Sequence, residues 1–441
     1  MNAEKTCSFE ASDPGTAILK SGLVELTLPH RGERRHQARL IDRVVRQRLV
    51  KQLARFEGGE IDFLDGEHCE VVGTNSLSAH RIGHRENLRA SLLIRDRRFY
   101  RQLLTGGSLG FAEAYLRGWW TTNKLTDLLR IFTRNLDLIR NNDRGLARVG
   151  VALATGLHRL ARNTRAGSRR NIASHYDLSN NFFATFLDPT MMYSSAIFED
   201  PEMSLEEASI NKLETICRQL DLQPKDRVIE VGTGWGGWAI HAAKNYGCHV
   251  TTTTVSRQQY AYARRRIAEE GLQDRITLLC EDYRDLTGQY DKLVSIEMLE
   301  AVGAEYFDTY FQKCNSLLKR GGRMLVQTIT IPEQRYDSYL RSADFIQRYI
   351  FPGGCLPSLA AIQQSVGRMT DLRLLDYRDF GMSYAKTLEH WNDRFHDRLE
   401  DIRELGFDDR FIRMWEYYFS YCEAAFLERA VGVSQLLWTR T

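Results

Sequence analysis

The sequence predicts an α/β protein whose larger part is a doubly wound, mostly parallel sheet, preceded by a smaller N-terminal α+β accessory domain. From about residue 172, short apolar runs alternate with helical segments, which is typical of parallel strands joined by crossover helices. The first of these runs leads directly into a glycine-rich turn. The predicted strands are Val228–Val231, His249–Thr254, Ile276–Cys280, Lys292–Ile296, Arg323–Ile329, Leu372–Tyr377 and Val433–Thr439, the last of them an antiparallel edge strand.

The N-terminal part divides into three predicted segments. Residues 1–37 are polar, contain Pro and Gly and are weakly periodic, so we expect them to be poorly ordered. Residues 38–135 should form the smaller domain. Its predicted elements are hairpin strands near 61–72 and 88–94 and helices over 97–104 and 125–135. A basic linker helix over 136–171 then leads into the larger domain, 172–441, and the paired Trp119 and Trp120 are expected to be core anchors.

Basic residues cluster on two predicted amphipathic helices. Between Arg134 and Arg170, nine arginines are opposed by Asp137 and Asp143 alone, with leucines at helical spacing. A second such helix is predicted from Ala38 to Arg55. Helices of this kind suit an anionic membrane surface, although ordinary solvated helices packed on their own domain fit the same pattern. No zinc-finger spacing or RNA-binding aromatic motif accompanies the arginines, so nucleic acid is not an expected partner.

Composition is that of a globular protein, with 43% hydrophobic and 27% charged residues and a net charge of +3. There is no apolar run of ~18 residues and no basic segment followed by an apolar core at the N-terminus, so we expect neither a membrane span nor a secretory signal. The eight cysteines are scattered without C-x-x-C pairs, which indicates reduced thiols and a cytoplasmic location. No His, Cys and Asp set has metal-ligand spacing, so no metal is expected.

The segment VIEVGTGWGG, from Val228 to Gly237, has the form of a nucleotide-binding turn in a Rossmann-like fold. Gly232, Gly234 and Gly236 allow positive φ angles and a close approach of the backbone to a ligand, and the helix that follows directs its positive end to that ligand. A dinucleotide-binding fold would have an acid about 20 residues later, but threonines stand there. A purely structural turn is the competing interpretation.

A ligand pocket is expected where the strand order reverses, at the carboxyl ends of the first strands. Glu230 ends the first strand, Gln259 follows the second, and Glu281 and Asp282 follow the third. Asp282 is the best candidate to accept a hydrogen bond from an adenine amino group. Its alternative role is that of a helix N-cap, which Asp favours.

Ordered segments along the chain carry a resemblance to a known family. They read SHYDLSNNFFATFLDPTMMYSSAIF from Ser174, SLEEAS from Ser204, VIEVGTGWGG from Val228, LVSIEMLEAVG from Leu293, QTITI from Gln327, YIFPGGCLPS from Tyr349 and SYAKTL from Ser383. Together they resemble the cyclopropane fatty acid and cyclopropane mycolic acid synthases, which are S-adenosylmethionine-dependent methyltransferases with a Rossmann-like class I fold. The segment GFAEAYLRGWW is similar to the accessory domain of the longer bacterial synthases, which aids phospholipid engagement and dimer formation.

The resemblance implies a set of cofactor-binding residues. Tyr193 and Ser194 match residues that hold the methionine carboxylate of S-adenosylmethionine. Gly232 and Gly234 match the glycines of the cofactor-binding turn. Thr254 and Gln259 match polar contacts after the second strand, and Glu230 and Asp282 complete the predicted set.

The resemblance also implies a base, which in this family is a bicarbonate ion. Glu300 and Tyr384 match its side-chain ligands, and Ile329 matches a backbone donor to it. Two residues depart from the family pattern: Ser195 replaces a cysteine, and Gln327 replaces a histidine. Ser195 preserves a backbone amide contact, whereas Gln327 cannot carry positive charge, so affinity for the anion should fall.

Glu297 is a candidate direct base, because it lies three residues before Glu300 and like charges at one site raise a pKa. A surface acid or a helix cap is the equally weighted alternative. The apolar residues Phe345, Ile346, Tyr349, Ile350 and Phe351 are expected to line an acyl channel, although periodicity alone assigns them to the core.

The expected activity is transfer of a methylene unit from S-adenosylmethionine to the cis double bond of unsaturated acyl chains in membrane phospholipids, forming cyclopropane fatty acids. The alternative is methyl or methylene branching without ring closure. A methyltransferase for a small polar amine and a non-catalytic lipid-binding protein are less favoured. The expected partner is the membrane surface, engaged transiently and peripherally, with a homodimer possible.

Overall fold

The computed structural model describes residues 8–11, 17–21, 24–27, 40–66, 68–76, 86–142, 179–342 and 344–441. The predicted linker helix beyond Asn142, with most of its arginines, and the start of the SHYDLS segment lie outside these residues. No helix in the described part of the chain is both long and apolar enough to cross a membrane.

The chain forms two compact units. The first contains the described residues up to Asn142 together with Asp408–Glu428, and the second contains the remaining described residues. The sequence assigned all of 172–441 to one domain, so the helix at Asp409–Leu427 is a correction to that boundary.

The first unit contains two sheets and five helices among the described residues. Its strands are β1 (Ser8–Ala11), β2 (Ala17–Ser21), β3 (Val24–Thr27), β4 (Gly59–Asp65), β5 (His68–Thr74), β6 (Leu88–Ile94) and β7 (Trp120–Thr121). Its helices are α1 (Leu40–Leu53), α2 (Arg98–Leu116), α3 (Leu125–Arg134), α4 (Leu136–Asn142) and α14 (Asp409–Leu427). Strands β1 to β3 pair antiparallel within the segment that was expected to be poorly ordered. The three strand segments contain apolar and β-branched residues such as Phe9, Ile18 and Val24, which favour an extended backbone.

The predicted hairpin is present as β4 and β5, which pair antiparallel, while β6 runs parallel to β4. Trp120 is fully buried and its Nε1 donates a hydrogen bond to Phe111 O, so it is a core anchor as predicted. Trp119 instead packs against the guanidinium groups of Arg98 and Arg117, which lie 4.7 and 4.9 Å from its ring centroid.

Helix α1 confirms the helix predicted near 38–55. Its Val45, Leu49 and Leu53 are buried, while Leu40, Ile41 and Val44 are exposed. Arg43 is exposed beside them. Engagement of a membrane by this helix stays a prediction.

A buried ion-pair cluster joins α14 to α3 within the first unit. Glu428 receives hydrogen bonds from Arg130 Nε at 2.8 Å and from Arg134 Nε at 2.9 Å. Arg130 also contacts Glu86, and Arg134 donates to Gly58 O at 2.5 Å. These contacts explain why α14 belongs to the N-terminal unit, because the two guanidinium groups are buried and need this carboxylate.

The second unit is built on a seven-stranded sheet. Its strands are β8 (Arg227–Val231), β9 (His249–Thr253), β10 (Ile276–Leu279), β11 (Tyr290–Ile296), β12 (Leu318–Thr330), β13 (Leu372–Asp379) and β14 (Gly432–Arg440). Its helices are α5 (Asn180–Phe186), α6 (Leu205–Leu220), α7 (Gly237–Tyr246), α8 (Arg257–Glu269), α9 (Phe307–Leu317), α10 (Glu333–Leu340), α11 (Leu359–Met369), α12 (Gly381–Asp397) and α13 (Leu399–Glu404).

The strand order is β10-β9-β8-β11-β12-β14-β13. All seven predicted strands are confirmed. Their ends agree to within two residues, except that β12 begins at Leu318, five residues before its predicted start. The predicted position of the last strand is wrong: β14 is antiparallel, but it lies between β12 and β13, and β13 forms the edge. The burial of β14 agrees with an interior position, because its residues from Val433 to Trp438 are all buried.

Adjacent residues of the central strands face opposite sides of this sheet. Ile229, Leu293, Met324 and Leu436 belong to a core with α9 and α11. Their neighbours Val228, Val294, Leu325 and Leu437 belong to a second core, with α6 and α7. The sheet is therefore covered on both faces, as expected of strands that read as continuous apolar runs.

Replacing Glu428 with Ala should lower the free energy of unfolding by about 3 kcal/mol, because two buried guanidinium groups lose their carboxylate. Urea denaturation followed by tryptophan fluorescence measures this change. The matched control is Asp401→Ala, which removes the exposed pair with Arg398 and should cost less than about 1 kcal/mol. Equal effects of the two variants would contradict a structural role for the cluster.

Candidate active site

A cleft opens at the carboxyl ends of β8, β9, β10 and β11, where the strand order reverses. All eight predicted cofactor-binding residues line it, namely Tyr193, Ser194, Glu230, Gly232, Gly234, Thr254, Gln259 and Asp282. Glu297 lies on the same wall. The sheet topology thus brings together side chains that are up to about a hundred residues apart in the sequence.

The glycine turn has the geometry that the sequence predicts. Gly232, Gly234 and Gly236 have φ angles of 106°, 54° and 88°, a region that glycine adopts without strain. Gly232 N donates to Thr253 O, which ties the turn to the neighbouring strand β9. Helix α7 begins at Gly237, so its N-terminus points at the cleft.

Glu230 is the penultimate residue of β8 and is 2% exposed. Its Oε2 accepts a hydrogen bond of 2.5 Å from Thr252 Oγ1, which is also 2.6 Å from Thr233 Oγ1. Burial raises the pKa of Glu230 to about 8, against the effects of Thr252 and Lys212. Thr252 stands where a dinucleotide-binding fold would have its acid, and here it supports Glu230.

Thr254 and Gln259 contact each other, as Thr254 Oγ1 donates to Gln259 Oε1 at 2.8 Å. Both side chains are buried against the cleft wall. Ser256 caps helix α8 by accepting a hydrogen bond from Gln259 N. This contact fixes the backbone position from which the Gln259 side chain extends.

Asp282 caps the short helical turn at Tyr283–Asp285, which was its alternative role. It also forms a bidentate pair with Arg284, with Nε 2.8 Å from Oδ1 and Nη2 2.6 Å from Oδ2. Arg284 lines the cleft as well, and it was missed from the sequence. The pair fixes the Asp282 carboxylate at the edge of the cleft, and an adenine contact stays a prediction.

Tyr193 is placed by an aromatic cluster. Its ring centroid lies 5.3 Å from those of Phe183 and Trp391, and 6.2 Å from that of Phe351. Next to it, Ser194 Oγ accepts a hydrogen bond of 2.6 Å from Lys212 Nζ. Of the five residues predicted to line an acyl channel, Phe345 and Ile350 are buried. None of the five lines the cleft described above.

The Glu297 carboxylate is the centre of the candidate base site. Its Oε1 accepts hydrogen bonds of 2.8 Å from Ser195 N and from Gln327 Nε2. Its Oε2 accepts one of 2.7 Å from Tyr384 OH. Gln435 Nε2 donates to Gln327 Oε1 at 3.0 Å, which orients the Gln327 amide so that its nitrogen faces Glu297. Glu297 is therefore neither a surface acid nor a helix cap.

Glu300 is close enough to Glu297 for their charges to interact, and it accepts a hydrogen bond of 2.5 Å from Ile329 N. Its Oε2 is buried without a hydrogen bond among the described residues. Burial and the nearby charge of Glu297 raise the pKa of Glu300 to about 8. Burial also raises the pKa of Glu297, but the Tyr384 and Gln327 donors and the charge of Lys212 favour its ionised form. Where the pair carries one negative charge, these donors therefore favour its placement on Glu297.

The predicted bicarbonate ion does not fit this arrangement. Tyr384 and the amide of Ser195 already donate to Glu297, and the amide of Ile329 donates to Glu300. The donors that were expected to hold an external anion are satisfied by the chain's own carboxylates. The prediction that Glu300 is an anion ligand is corrected accordingly.

Backbone strain accompanies the placement of Glu297. Its φ angle is 49°, in the left-handed region, which for a residue other than glycine costs on the order of 1–3 kcal/mol. The strain occurs directly after β11, where Glu297 N donates to Gln327 O on β12. The neighbouring strand β12 thus holds the backbone turn that directs the Glu297 carboxylate into the cleft.

Lys212 was missed from the sequence, although a signal was present. Helix α6 buries Leu205, Ala208, Leu213 and Ile216 at helical spacing, and Lys212 falls on the same face. A lysine on an apolar helix face indicates a buried charge that needs a partner.

Comparison with known proteins agrees with these features. A family model described as mycolic acid cyclopropane synthetase matches residues 163–436. Tuberculostearic acid methyltransferase UfaA1 of Mycobacterium tuberculosis is 40% identical over 340 residues, covering 76% of this chain and 78% of that protein. Cyclopropane-fatty-acyl-phospholipid synthase of Escherichia coli K12 is 36% identical, covering 80% of this chain and 88% of that protein.

Among solved structures, mycolic acid cyclopropane synthase CmaA1 complexed with SAH and CTAB is 30% identical. It has a TM-score of 0.58 and covers 62% of this chain and 98% of its own. The fold is that of a Rossmann-like class I methyltransferase, with the glycine turn directly after β8. The chain therefore belongs to the mycolic acid cyclopropane synthetase family and is an S-adenosylmethionine-dependent methyltransferase.

Proposed function

We propose that this enzyme methylates the cis double bond of an unsaturated acyl chain in a membrane phospholipid, and that Glu297 removes the proton that ends the reaction. The product is a methyl- or methylene-branched acyl chain that keeps one carbon–carbon double bond. The observation that supports this proposal is the Glu297 carboxylate, which lines the cofactor cleft and is held by Ser195, Gln327 and Tyr384.

The chemistry begins with the alkene as nucleophile. Its π electrons form a bond to the methyl carbon of S-adenosylmethionine, and the carbon–sulfur bond breaks to release S-adenosylhomocysteine. The acyl chain is left as a carbocation. Glu297 then accepts a proton, and the electrons of the broken C–H bond close either a double bond or a ring. Proximity and exclusion of water let an unreactive alkene take part.

Ionised Glu297 has two effects that favour branching. Its negative charge stabilises the carbocation, because a preorganised charge acts strongly where water is excluded. Its oxygens also accept three hydrogen bonds, which weaken it as a base. A longer-lived cation has time for a hydride to move from the methylated carbon to its cationic neighbour before deprotonation. The positive charge then lies on the methylated carbon itself, so the new methyl group can no longer close a ring onto the neighbour.

The similarity to a relative named tuberculostearic acid methyltransferase, at 40% identity, supports an acyl C-methylation. A saturated branch would need a reductant, which this reaction does not supply, so the direct product retains its unsaturation. Cyclopropane formation is the second candidate. It is supported by the family description and by the 36% identical synthase of Escherichia coli, which is named for a fatty-acyl-phospholipid substrate.

The product can be identified by incubating the purified protein with vesicles of unsaturated phospholipid and S-adenosylmethionine labelled with deuterium in its methyl group. Released acyl chains are then analysed by gas chromatography and mass spectrometry before and after mild hydrogenation. We expect a chain that gains one carbon and still takes up hydrogen, since its double bond remains. A product that resists hydrogenation would instead be the cyclopropane, and no labelled lipid at all would refute acyl methylation.

Retention of deuterium locates the proton that is lost. Three deuterium atoms in the product mean that the proton came from the acyl chain. Two mean that it came from the new methyl group, which gives an exomethylene branch when the product takes up hydrogen and a ring when it does not. The label thus separates the two branched products from one another.

Replacing Glu297 with Gln should slow formation of the final lipid product in a single turnover by about 10²–10⁴-fold, because the proton acceptor is lost. The matched control is Glu300→Gln. Burial and the charge of Glu297 raise the pKa of Glu300, which favours its neutral form, so a glutamine that still accepts from Ile329 N should keep most of the activity. Binding of S-adenosylhomocysteine by both variants, measured by calorimetry, checks that the cleft is intact. Loss of activity in Glu300→Gln alone would assign the base role to Glu300.

Replacing Glu297 with Gly should abolish activity and make it recoverable by a small anion. The substitution relieves the positive φ angle and frees the Ser195, Gln327 and Tyr384 donors for formate or bicarbonate. We expect added formate or bicarbonate to restore turnover in this variant and to leave the unaltered enzyme unaffected. Stimulation of the unaltered enzyme by bicarbonate would mean that an external anion is the base.

A further inference from the structure

We infer that Lys212 is a positioning residue for the cofactor, which supplies the positive charge that holds the carboxylate of S-adenosylmethionine by acting through Ser194. Lys212 lies on α6 and has no exposed surface. The inference rests on the placement of the cofactor carboxylate at Tyr193 and Ser194. It does not depend on whether the acyl product is branched or cyclic.

The Lys212 ammonium is incompletely paired. Its Nζ donates to Ser194 Oγ at 2.6 Å, and among the described residues this is its one hydrogen bond. An ammonium group carries three donors, and a buried charge is costly unless it is paired. The described residues place no carboxylate oxygen within 4.0 Å of Nζ. An anion supplied by a ligand would complete this environment.

Ser194 is oriented by this contact. Because its Oγ accepts a hydrogen from Lys212, its own hydroxyl hydrogen points elsewhere, and no acceptor for it is present among the described residues. Ser194 also lines the cleft. Its hydroxyl is therefore available to donate to a ligand, and the adjacent positive charge makes it a stronger donor.

The acids near Lys212 are engaged by other groups. Asp188 accepts from Ser209 Oγ and Thr190 N, and Glu230 accepts from Thr252. Glu297 is held by its three donors. Burial lowers the pKa of Lys212 to about 8, while these three acids oppose the shift and favour the ammonium form. A cation held near carboxylates that do not touch it is suited to a further carboxylate arriving with the cofactor.

Calorimetric binding of two ligands tests this role. S-adenosylhomocysteine carries the carboxylate, whereas 5′-methylthioadenosine has the same nucleoside and lacks the carboxylate and the amine. Replacing Lys212 with Met, which has similar length and no charge, should weaken S-adenosylhomocysteine binding by about tenfold to a hundredfold. Binding of methylthioadenosine should not change, and that result also shows that the variant is folded.

The matched control is Lys292→Met. Lys292 is a partly buried lysine on β11 whose Nζ donates to Leu220 O and Asp221 O, and it does not line the cleft. This control should leave both affinities unchanged. If Lys212→Met lowers the affinity for both ligands equally, Lys212 has a structural role and the inference is overturned. Unchanged affinity for both ligands would overturn it as well.

A Ser194→Ala variant separates the two parts of the inference. If Ser194→Ala weakens S-adenosylhomocysteine selectively and Lys212→Met does not, the carboxylate site stands and the role of Lys212 falls. If neither variant affects the difference between the ligands, the placement of the carboxylate is wrong. A double variant no weaker than Lys212→Met would show that the lysine acts through Ser194.

Discussion

The hydrogen bonds that converge on Glu297 are the interaction on which the rest of the active site depends. A carboxylate in this position is next to the cofactor cleft, in a left-handed backbone conformation that it does not favour. Ser195, Gln327 and Tyr384 reach it from a loop, a strand and a helix that are far apart in the sequence. Those donors favour the ionised form, while burial opposes it. The chain itself thus provides the anion that the family resemblance assigned to an external ion.

The sheet explains why these groups meet. Glu297 follows β11 and Gln327 lies on β12, its parallel neighbour, so both are at the same edge. The antiparallel strand β14 then places Gln435 directly beside Gln327, where it orients the amide. An interior β14 is therefore part of the site's geometry as well as of the core. Had this strand been at the edge beyond β13, the Gln327 amide would have lost the partner that fixes its direction.

The sequence predicted the strands, the glycine turn and eight residues that line the cleft, because each has a local signature: an apolar run, a glycine spacing or an ordered motif. What it left open depends on contacts between distant residues. The pattern around Glu297 was compatible with a base, a cap or a surface acid, and the contacts with Ser195 and Tyr384 exclude the last two roles. The placement of α14 in the N-terminal unit likewise depends on Arg130 and Arg134 meeting Glu428, almost 300 residues away.

The charges of the site follow the course of the reaction. S-adenosylmethionine brings a positive sulfur, and methyl transfer moves that charge onto the acyl chain. Glu297 is fixed before the reaction begins, so its carboxylate needs no reorientation when the cation forms. Lys212 lies on the other side of Ser194, where a positive charge attracts the carboxylate end of the cofactor. A cation at that end and an anion near the reacting carbon form a gradient that favours movement of positive charge from sulfur toward Glu297. The same carboxylate that stabilises the cation is then in place to end its lifetime by accepting a proton.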